Sequence, residues 1–477
     1  MESPGATLSR RTGGAPVPRR ILPHLFLVFD SEQPLAPSVR FCLEGVDTVE
    51  VGRAGQFVAG RDGPGGRRLM IGLPDSWVST SHAALRYTAP SWVIEDAKSK
   101  NGTLINGRME TRAELTDGDL IELGHCFFLF RDALATSTDE PALLKSNELR
   151  SSAPGLATLV PSLAAELRKL EAIAGSTVSV LLQGDSGAGK EVAANAIHRL
   201  SGRSGPFLPV NCGGLPETLI ESELFGSRKG AFSGADKDRP GLVRSAEHGT
   251  LFLDEIGELP ASAQAALLRV LQDGEILPIG ATQPIRVDVR FVAASNRDLE
   301  AQVERGQFRV DLLARISGFS LWLPPLRERR EDLGILIGSL LKRQMGDRAA
   351  EISFSCEAAR ALLLHSWPLN IRELEKWLAA SAVLSGGHRI ELEHLPGRAN
   401  ARQEVPGASC LPKTGPDALS LAKRQECDLR KREELLALLR EHAGNISAVA
   451  RALGKARPQV QRWMKRYRID RGRSRSD

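Results

Sequence analysis

Val178-Ser179-Val180-Leu181-Leu182-Gln183-Gly184-Asp185-Ser186-Gly187-Ala188-Gly189-Lys190-Glu191 is the stretch on which the reading of this chain turns. Its first five residues are a short apolar run of the kind buried in a parallel sheet. The segment Gly184 to Lys190 then fits GxxxxGK, and a helical stretch follows from Glu191 to Leu200. Glycines in that setting let backbone N–H groups turn toward a phosphate at a helix N-terminus, with Lys190 reaching the β/γ oxygens. The Ser or Thr that commonly follows such a lysine is replaced by Glu191, which offers no hydroxyl to magnesium.

Two further strand ends belong with this loop. Gly249-Thr250-Leu251-Phe252-Leu253-Asp254-Glu255 is an apolar strand closed by two carboxylates. Acids at that place are costly unless they face a metal or water at the ligand-binding edge of a sheet. Asp254 is expected to hold magnesium, through water, and Glu255 to polarise an attacking water. Arg290-Phe291-Val292-Ala293-Ala294 ends at Ser295-Asn296, placed to sense a γ-phosphate or position water. Phosphoryl transfer also needs positive charge, often supplied in trans, for which Arg309 and Arg315 are candidates. Strands alternate with helical segments over 155–327, the pattern of a parallel α/β sheet, and 328–398 reads as wholly helical.

These residues resemble the sigma-54-dependent activators, or bacterial enhancer-binding proteins, of the AAA+ superfamily. The resemblance covers about residues 155–470. It rests on GDSGAGKE (184–191), ESELFGSRKGAFSGA (221–235), GTLFLDEIGELP (249–260), FVAASNRDL (291–299), FRVDLLARI (308–316), LPPLRERREDL (323–333) and WPLNIRELE (367–375). Gly230-Ala231-Phe232-Ser233-Gly234-Ala235 is similar to the family's GAFTGA loop, with Ser233 for Thr. The resemblance implies that this loop contacts sigma-54, with Phe232 at the point of contact; an exposed apolar tip on a polar loop also marks a partner site physically. It implies as well that Glu191 is normal for the family, that Asn211 pairs with Glu255 as a nucleotide-dependent switch, and that Arg309 and Arg315 act on a neighbour's ATP. Arg372 would read nucleotide from a helical lid, and trans arginines imply a hexamer. Leu369 stands where the family's lid motif carries glycine.

Residues 23–132 alternate apolar and polar positions between Gly/Pro/Asp-rich turns, as in Ser91-Trp92-Val93-Ile94-Glu95, which predicts an all-β sandwich. Gly52-Arg53, Ser79-xx-His82, Asn101-Gly102-Thr103 and Asn106-Gly107 resemble a forkhead-associated (FHA) domain, a phosphothreonine reader. Arg53, Ser79 and Asn101 are the candidate phosphopeptide contacts. His82 is expected to brace the loops and Asn106-Gly107 to form a hairpin turn. Arg61, in a second Gly-Arg pair, competes with Arg53 for the phosphate; Arg53 is favoured because it follows the strand-like run Thr48-Val49-Glu50-Val51.

At the other end, Ile446, Val449, Ala450 and Leu453 keep helical spacing after Asn445, Gly454 ends that helix, and Pro458 sits in the first turn of the next. The pair reads as a helix-turn-helix. Arg457, Gln459, Gln461, Arg462, Lys465 and Arg466 are its outward residues, suited to bases and phosphates. Charge agrees: residues 430–475 hold fourteen Lys/Arg against four Asp/Glu, whereas the whole chain of 477 residues nets +5, so the basic footprint is confined to the tail. The unit resembles the Fis-type domain of the same activators, which pairs to read palindromic enhancers.

The chain is thus read as multidomain: a disordered basic arm (1–22), an all-β FHA sandwich (23–132), a linker (133–154), an α/β AAA+ P-loop domain (155–327) with its helical lid (328–398), a linker (399–428) and an all-α helix-turn-helix domain (429–472). The six cysteines form no CxxC pair and no apolar run approaches a membrane span, so a cytoplasmic protein is expected. The expected function is an ATPase, using ATP and Mg2+, that binds enhancer DNA and remodels sigma-54 RNA polymerase. An FHA domain would gate it by reading a phosphothreonine-bearing protein or kinase, a signalling role akin to two-component systems. Homo-oligomers from dimer to hexamer are expected. The alternative is an ATP-switched DNA-binding regulator that does not act through sigma-54. An AAA+ unfoldase or protease subunit is disfavoured by the DNA-binding tail.

Overall fold

The computed structural model describes residues 19–63, 65–137, 140–149, 155–231 and 237–396. Phe232 to Ala235, the 399–428 segment and the helix-turn-helix at 429–472 lie outside the described residues. Among the described residues no helix is long and apolar enough to cross a membrane.

The N-terminal strands build two stacked sheets. One runs in the order Leu143–Lys145, Val39–Cys42, Arg19–Asp30, Cys126–Ser137, Leu120–Leu123, Thr103–Ile105, Arg108–Glu110. The other runs Arg112–Leu115, Ser91–Asp96, Ala83–Thr88, Thr48–Arg53, Arg68–Leu73, Val58–Arg61. Leu25, Leu27, Phe41, Val49, Trp92 and Phe128 fill the space between them. The sheet extends beyond the expected borders. Arg19 already pairs with Ser137, inside the stretch read as an arm, and Leu143–Lys145 pairs with Val39–Phe41 inside the stretch read as a linker. The reason is side-chain burial: Leu134 and Thr136 are covered, and the buried Arg40 guanidinium pairs with Glu140 at 2.5 Å.

The α/β unit carries five parallel strands. Taken in chain order from Val180–Gln183, they lie in the sheet as 2-3-4-1-5, the others being Phe207–Asn211, Thr250–Asp254, Arg290–Ser295 and Phe319–Trp322. Both sheet faces are covered, one by a core around Leu251, Leu267 and Leu312 and the other by a core around Leu170, Ile197 and Phe252. That double burial is why these strands read as continuous apolar runs.

The lid follows as the helices Leu333–Met345, Cys356–Leu364 and Asn370–Leu384. It is not wholly helical: Ser353–Phe354, just before the second of these helices, and Arg389–Ile390, after the third, form a short parallel pair. The lid shares one hydrophobic core with the outer face of the sandwich. Phe26, Val28, Phe127 and Leu129 pack there with Leu333, Ile337, Phe354, Leu362 and Trp367. Each such side chain, fully buried, is worth about 1.5–3 kcal/mol. Helix and strand meet backbone to backbone: a Cβ on Gly334 would lie 1.8 Å from the Val28 carbonyl oxygen. Ion pairs and hydrogen bonds also cross this seam. Arg131 meets the fully buried Glu331, Arg360 holds Glu122 through two bonds of 2.8 Å, and the Phe354 N–H donates to the Ser31 carbonyl at 2.7 Å.

Candidate functional site

The loop 184–189 leaves the C-terminal end of strand Val180–Gln183 and enters helix Lys190–Ser201. Glycine is required at two of its positions by close approach of other backbone. A Cβ on Gly184 would lie 2.5 Å from the Leu323 carbonyl oxygen, and one on Gly187 2.4 Å from that of Leu369, both at positive φ. Lys190 is buried, and its Nζ donates to the Gly184 and Asp185 carbonyls at 2.8 and 3.1 Å. Burial pulls its ammonium below the usual lysine range, opposed chiefly by the charges of Asp254 and Glu255.

Those two acids sit at the same sheet edge. Asp254 Oδ1 accepts the Glu255 N–H at 3.0 Å, and Glu255 stands at φ 54°, ψ 45°, a left-handed conformation rare outside glycine. Such a conformation costs about 1–3 kcal/mol and is sustained only where its surroundings impose it. Asn211 is the sheet partner of Asp254. Its Oδ1 accepts the Gly213 and Gly214 N–H groups at 2.9 and 3.2 Å, capping the turn after its strand. No hydrogen bond joins it to Glu255 among the described residues; instead the Glu255 carboxylate lies across Gly213, whose Cβ would stand 2.6 Å from Oε2. The neighbouring Cys212 thiol is pushed up to about 12 by burial and then by Asp254 and Glu255. Asn296 follows Ser295, whose carbonyl accepts the Gly184 N–H at 3.3 Å, so it too lies beside the loop. Glu191 is exposed in the first turn of the helix.

The lid closes on the loop from the other side. The Arg372 guanidinium donates to Ser186 Oγ at 3.3 Å, and the Ile371 N–H donates to the Gly187 carbonyl at 3.1 Å. Two contacts escaped the sequence reading. Buried Asn370, at φ 57°, donates its amide to the Ser186 carbonyl at 2.9 Å, and Arg329 donates to the Ala188 carbonyl at 2.6 Å. The signal for Asn370 was an amide inside an otherwise apolar helix start. Leu369, the departure from the family glycine, takes φ −101°, an ordinary value, so no glycine is needed there.

Arg309 and Arg315 are exposed; Arg309 pairs with Asp311 at 2.7 Å and Arg315 donates to the Leu271 carbonyl at 3.0 Å. Neither bonds to the 184–191 loop. Of the 230–235 loop only Gly230 and Ala231 are described.

On the sandwich, Arg53, Ser79 and Asn101 come together. The Arg53 N–H donates to the Ser79 carbonyl at 2.9 Å, Ser79 Oγ accepts the Lys100 N–H at 3.0 Å, and Asn101 Nδ2 donates to the Trp77 carbonyl at 2.7 Å. Buried His82 joins the loops, accepting the Ser79 N–H at 3.1 Å while its other nitrogen bonds the Gly102 carbonyl at 3.0 Å. Asn106 and Gly107 make the turn of a two-stranded hairpin. Arg61 is spent elsewhere, donating to the Cys42 and Glu44 carbonyls at 3.0 Å each. Arg53 is the exposed arginine beside Ser79.

Known proteins match this layout. Residues 157–322 match the Sigma-54 interaction domain, 327–409 the AAA+ ATPase lid domain, and 51–124 the FHA domain. The transcriptional regulatory protein GlrR of Escherichia coli is 38% identical over 350 residues, 71% of this chain and 76% of GlrR. The regulatory protein AtoC of the same organism is 44% identical over 300 residues, 62% of this chain and 64% of AtoC. NtrX of Brucella abortus, solved in complex with ADP, aligns at 30% identity over 66% of this chain and 70% of that one, with a TM-score of 0.47. The chain spans 64% of AtoC and 53% of the Nif-specific regulatory protein of Azotobacter vinelandii, under two thirds of either.

Fold and site together define an AAA+ type nucleotide-binding protein fused to an FHA sandwich. Within that class the chain belongs to the sigma-54-dependent transcriptional activators.

Proposed function

We propose that the chain hydrolyses ATP to remodel sigma-54 RNA polymerase at promoters, under the control of its FHA domain. One observation carries this reading above the others. Lys190, Asp254 and Glu255 converge at the C-terminal edge of a parallel sheet, under a lid hydrogen-bonded to the glycine loop. The residues fit a nucleotide: the loop carbonyls that occupy Lys190 are weak partners for an ammonium, which a triphosphate would replace.

The 184–191 loop and Lys190 would bind the phosphates, with Asp254 holding magnesium through water. Magnesium, when bound, neutralises charge on the β- and γ-phosphates. Glu255 would orient and polarise the attacking water, Asn296 would sense the γ-phosphate, and Arg372 would report it to the lid. Asn211 and Glu255, flanking Gly213, would form the switch that relays nucleotide state to the 230–235 loop. Arg309 and Arg315 are exposed and bond to Asp311 and Leu271 rather than to their own 184–191 loop, which supports their acting on a neighbour's ATP within a hexamer. Phe232 would press on sigma-54. Arg53 would hold a phosphothreonine, Ser79 would donate a hydroxyl bond to it, and Asn101 would hold the peptide backbone. Arg457, Gln459, Gln461, Arg462, Lys465 and Arg466 would bind enhancer DNA.

Transcription in vitro by purified sigma-54 polymerase tests this. Full-length chain with ATP should yield transcripts from an enhancer-bearing template, and Phe232→Ala should abolish them. Unimpaired transcription by Phe232→Ala would remove Phe232 as the contact, and no chain-dependent transcript at all would favour the alternative, an ATP-switched DNA-binding regulator independent of sigma-54.

A further inference from the structure

One of the candidate phosphopeptide residues, Asn101, lies on the wall of a cleft. This cleft, of about 650 Å³, is lined by both the sandwich and the lid. Trp77, Asn101 and His125 line its sandwich side, and Cys356, Glu357 and Arg360 of helix Cys356–Leu364 line its lid side. Asn101 therefore belongs to two places at once. Through its neighbours it adjoins Ser79 and Arg53, and through its bond to the Trp77 carbonyl it stands on the wall of the cleft.

The cleft has the surface of a peptide site. Trp77 is 53% exposed, with its ring 4.9 Å from that of His125, an indole displayed rather than buried. Most charges around it are matched internally. Arg360 is held by Glu122 at 2.8 Å, Asp75 accepts the His125 backbone N–H at 2.7 Å, and Arg389 is held by Glu32 at 2.8 Å. Glu357 is exposed and in no ion pair among the described residues; its charge reaches Arg360, but that guanidinium is already held by Glu122, so Glu357 is the charge left open on the lid side. The lid wall is also firmly placed: Arg360 is anchored through its Nε and Nη2, and Cys356 Sγ lies 3.6 Å from the Gly124 carbonyl.

We propose that the lid is the second wall of the phosphopeptide site. The peptide held by Arg53, Ser79 and Asn101 continues along Trp77 into the cleft, and a lysine or arginine flanking its phosphothreonine meets Glu357. This rests on the phosphopeptide reading of the sandwich and extends it, because the bound peptide would touch the ATPase lid directly.

The test uses full-length chain and labelled phosphothreonine peptides in an alanine background, with Lys, Ala or Glu scanned through the flanking positions. At one flank Lys should bind about 3-fold or more tighter than Ala, and Glu weaker than Ala, the size of an exposed charge pair. In Glu357→Lys that preference should vanish or reverse while the all-alanine phosphopeptide still binds, which also shows the variant is folded. The same Lys preference in Glu357→Lys, or no preference at any flank, would overturn the proposal while leaving the phosphopeptide reading intact. Binding that ignores the phosphate, or that survives Arg53→Ala unchanged, would instead remove the phosphopeptide reading and the proposal with it.

Discussion

Glu255 joins two unusual circumstances, a left-handed backbone and a carboxylate lying across Gly213 beside buried Lys190. Glu255→Gln keeps shape and removes the charge that polarises water. Steady-state ATP hydrolysis should fall about 10²–10⁴-fold, the range for loss of a general base, with binding of a fluorescent ATP analogue retained. Hydrolysis within a few-fold of wild type would assign the base elsewhere. A second residue governs acid stability. His24 is buried in the sandwich, and burial lowers its pKa from 6.5 to about 4. The folded state thus disfavours the imidazolium, so its contribution is full above pH 6.5 and is lost as pH falls toward about 4. Near pH 5 the loss is about 2 kcal/mol, readable as a difference in urea stability between wild type and His24→Gln that shrinks from about pH 7 to pH 5. A gap unchanged by pH would show that His24 does not titrate this way.

Among elements, the lid helix Leu333–Met345 is seated on strand Arg19–Asp30 at Gly334. Gly334→Val should cost about 2 kcal/mol or more in urea unfolding, since the new side chain meets the Val28 carbonyl and Ser38. Arg131→Met should cost about 3–5 kcal/mol by leaving buried Glu331 without its partner, and adding Glu331→Leu should restore most of it. A double variant as weak as the single one would contradict that origin. This seam marks the limit of what the sequence discloses. The glycine loop, the acid-ended strand and the alternating sandwich strands were legible because each is a local pattern. The seam was also written, in Leu25-Phe26-Leu27-Val28-Phe29 and Cys126-Phe127-Phe128-Leu129-Phe130, runs without a polar residue that mean burial on both faces. What covers the second face is a long-range fact, and no local pattern names it. The same holds for Asn370 and Arg329, whose partners lie about the glycine loop far back in the chain. Asn211 shows the converse: the family resemblance implied a pairing with Glu255, whereas its side chain caps the backbone of Gly213 and Gly214.

At the scale of the molecule, sandwich, lid and glycine loop form one connected path. Arg131 and the Gly118 carbonyl grip Glu331 and Arg330, while the adjacent Arg329 bonds the loop at Ala188. Phosphopeptide and nucleotide should therefore change each other's affinity, and by the same factor, since coupling between binding sites is reciprocal. Titrating each in the presence and absence of the other measures it. A factor of one in both directions would mean the seam transmits nothing. The reading of the whole chain rests finally on ATP hydrolysis doing work on a polymerase. Permanganate footprinting of a promoter bound by sigma-54 polymerase follows that step directly. Strand opening is expected only with wild-type chain and hydrolysable ATP; equal opening with Glu255→Gln or with a non-hydrolysable analogue would contradict it.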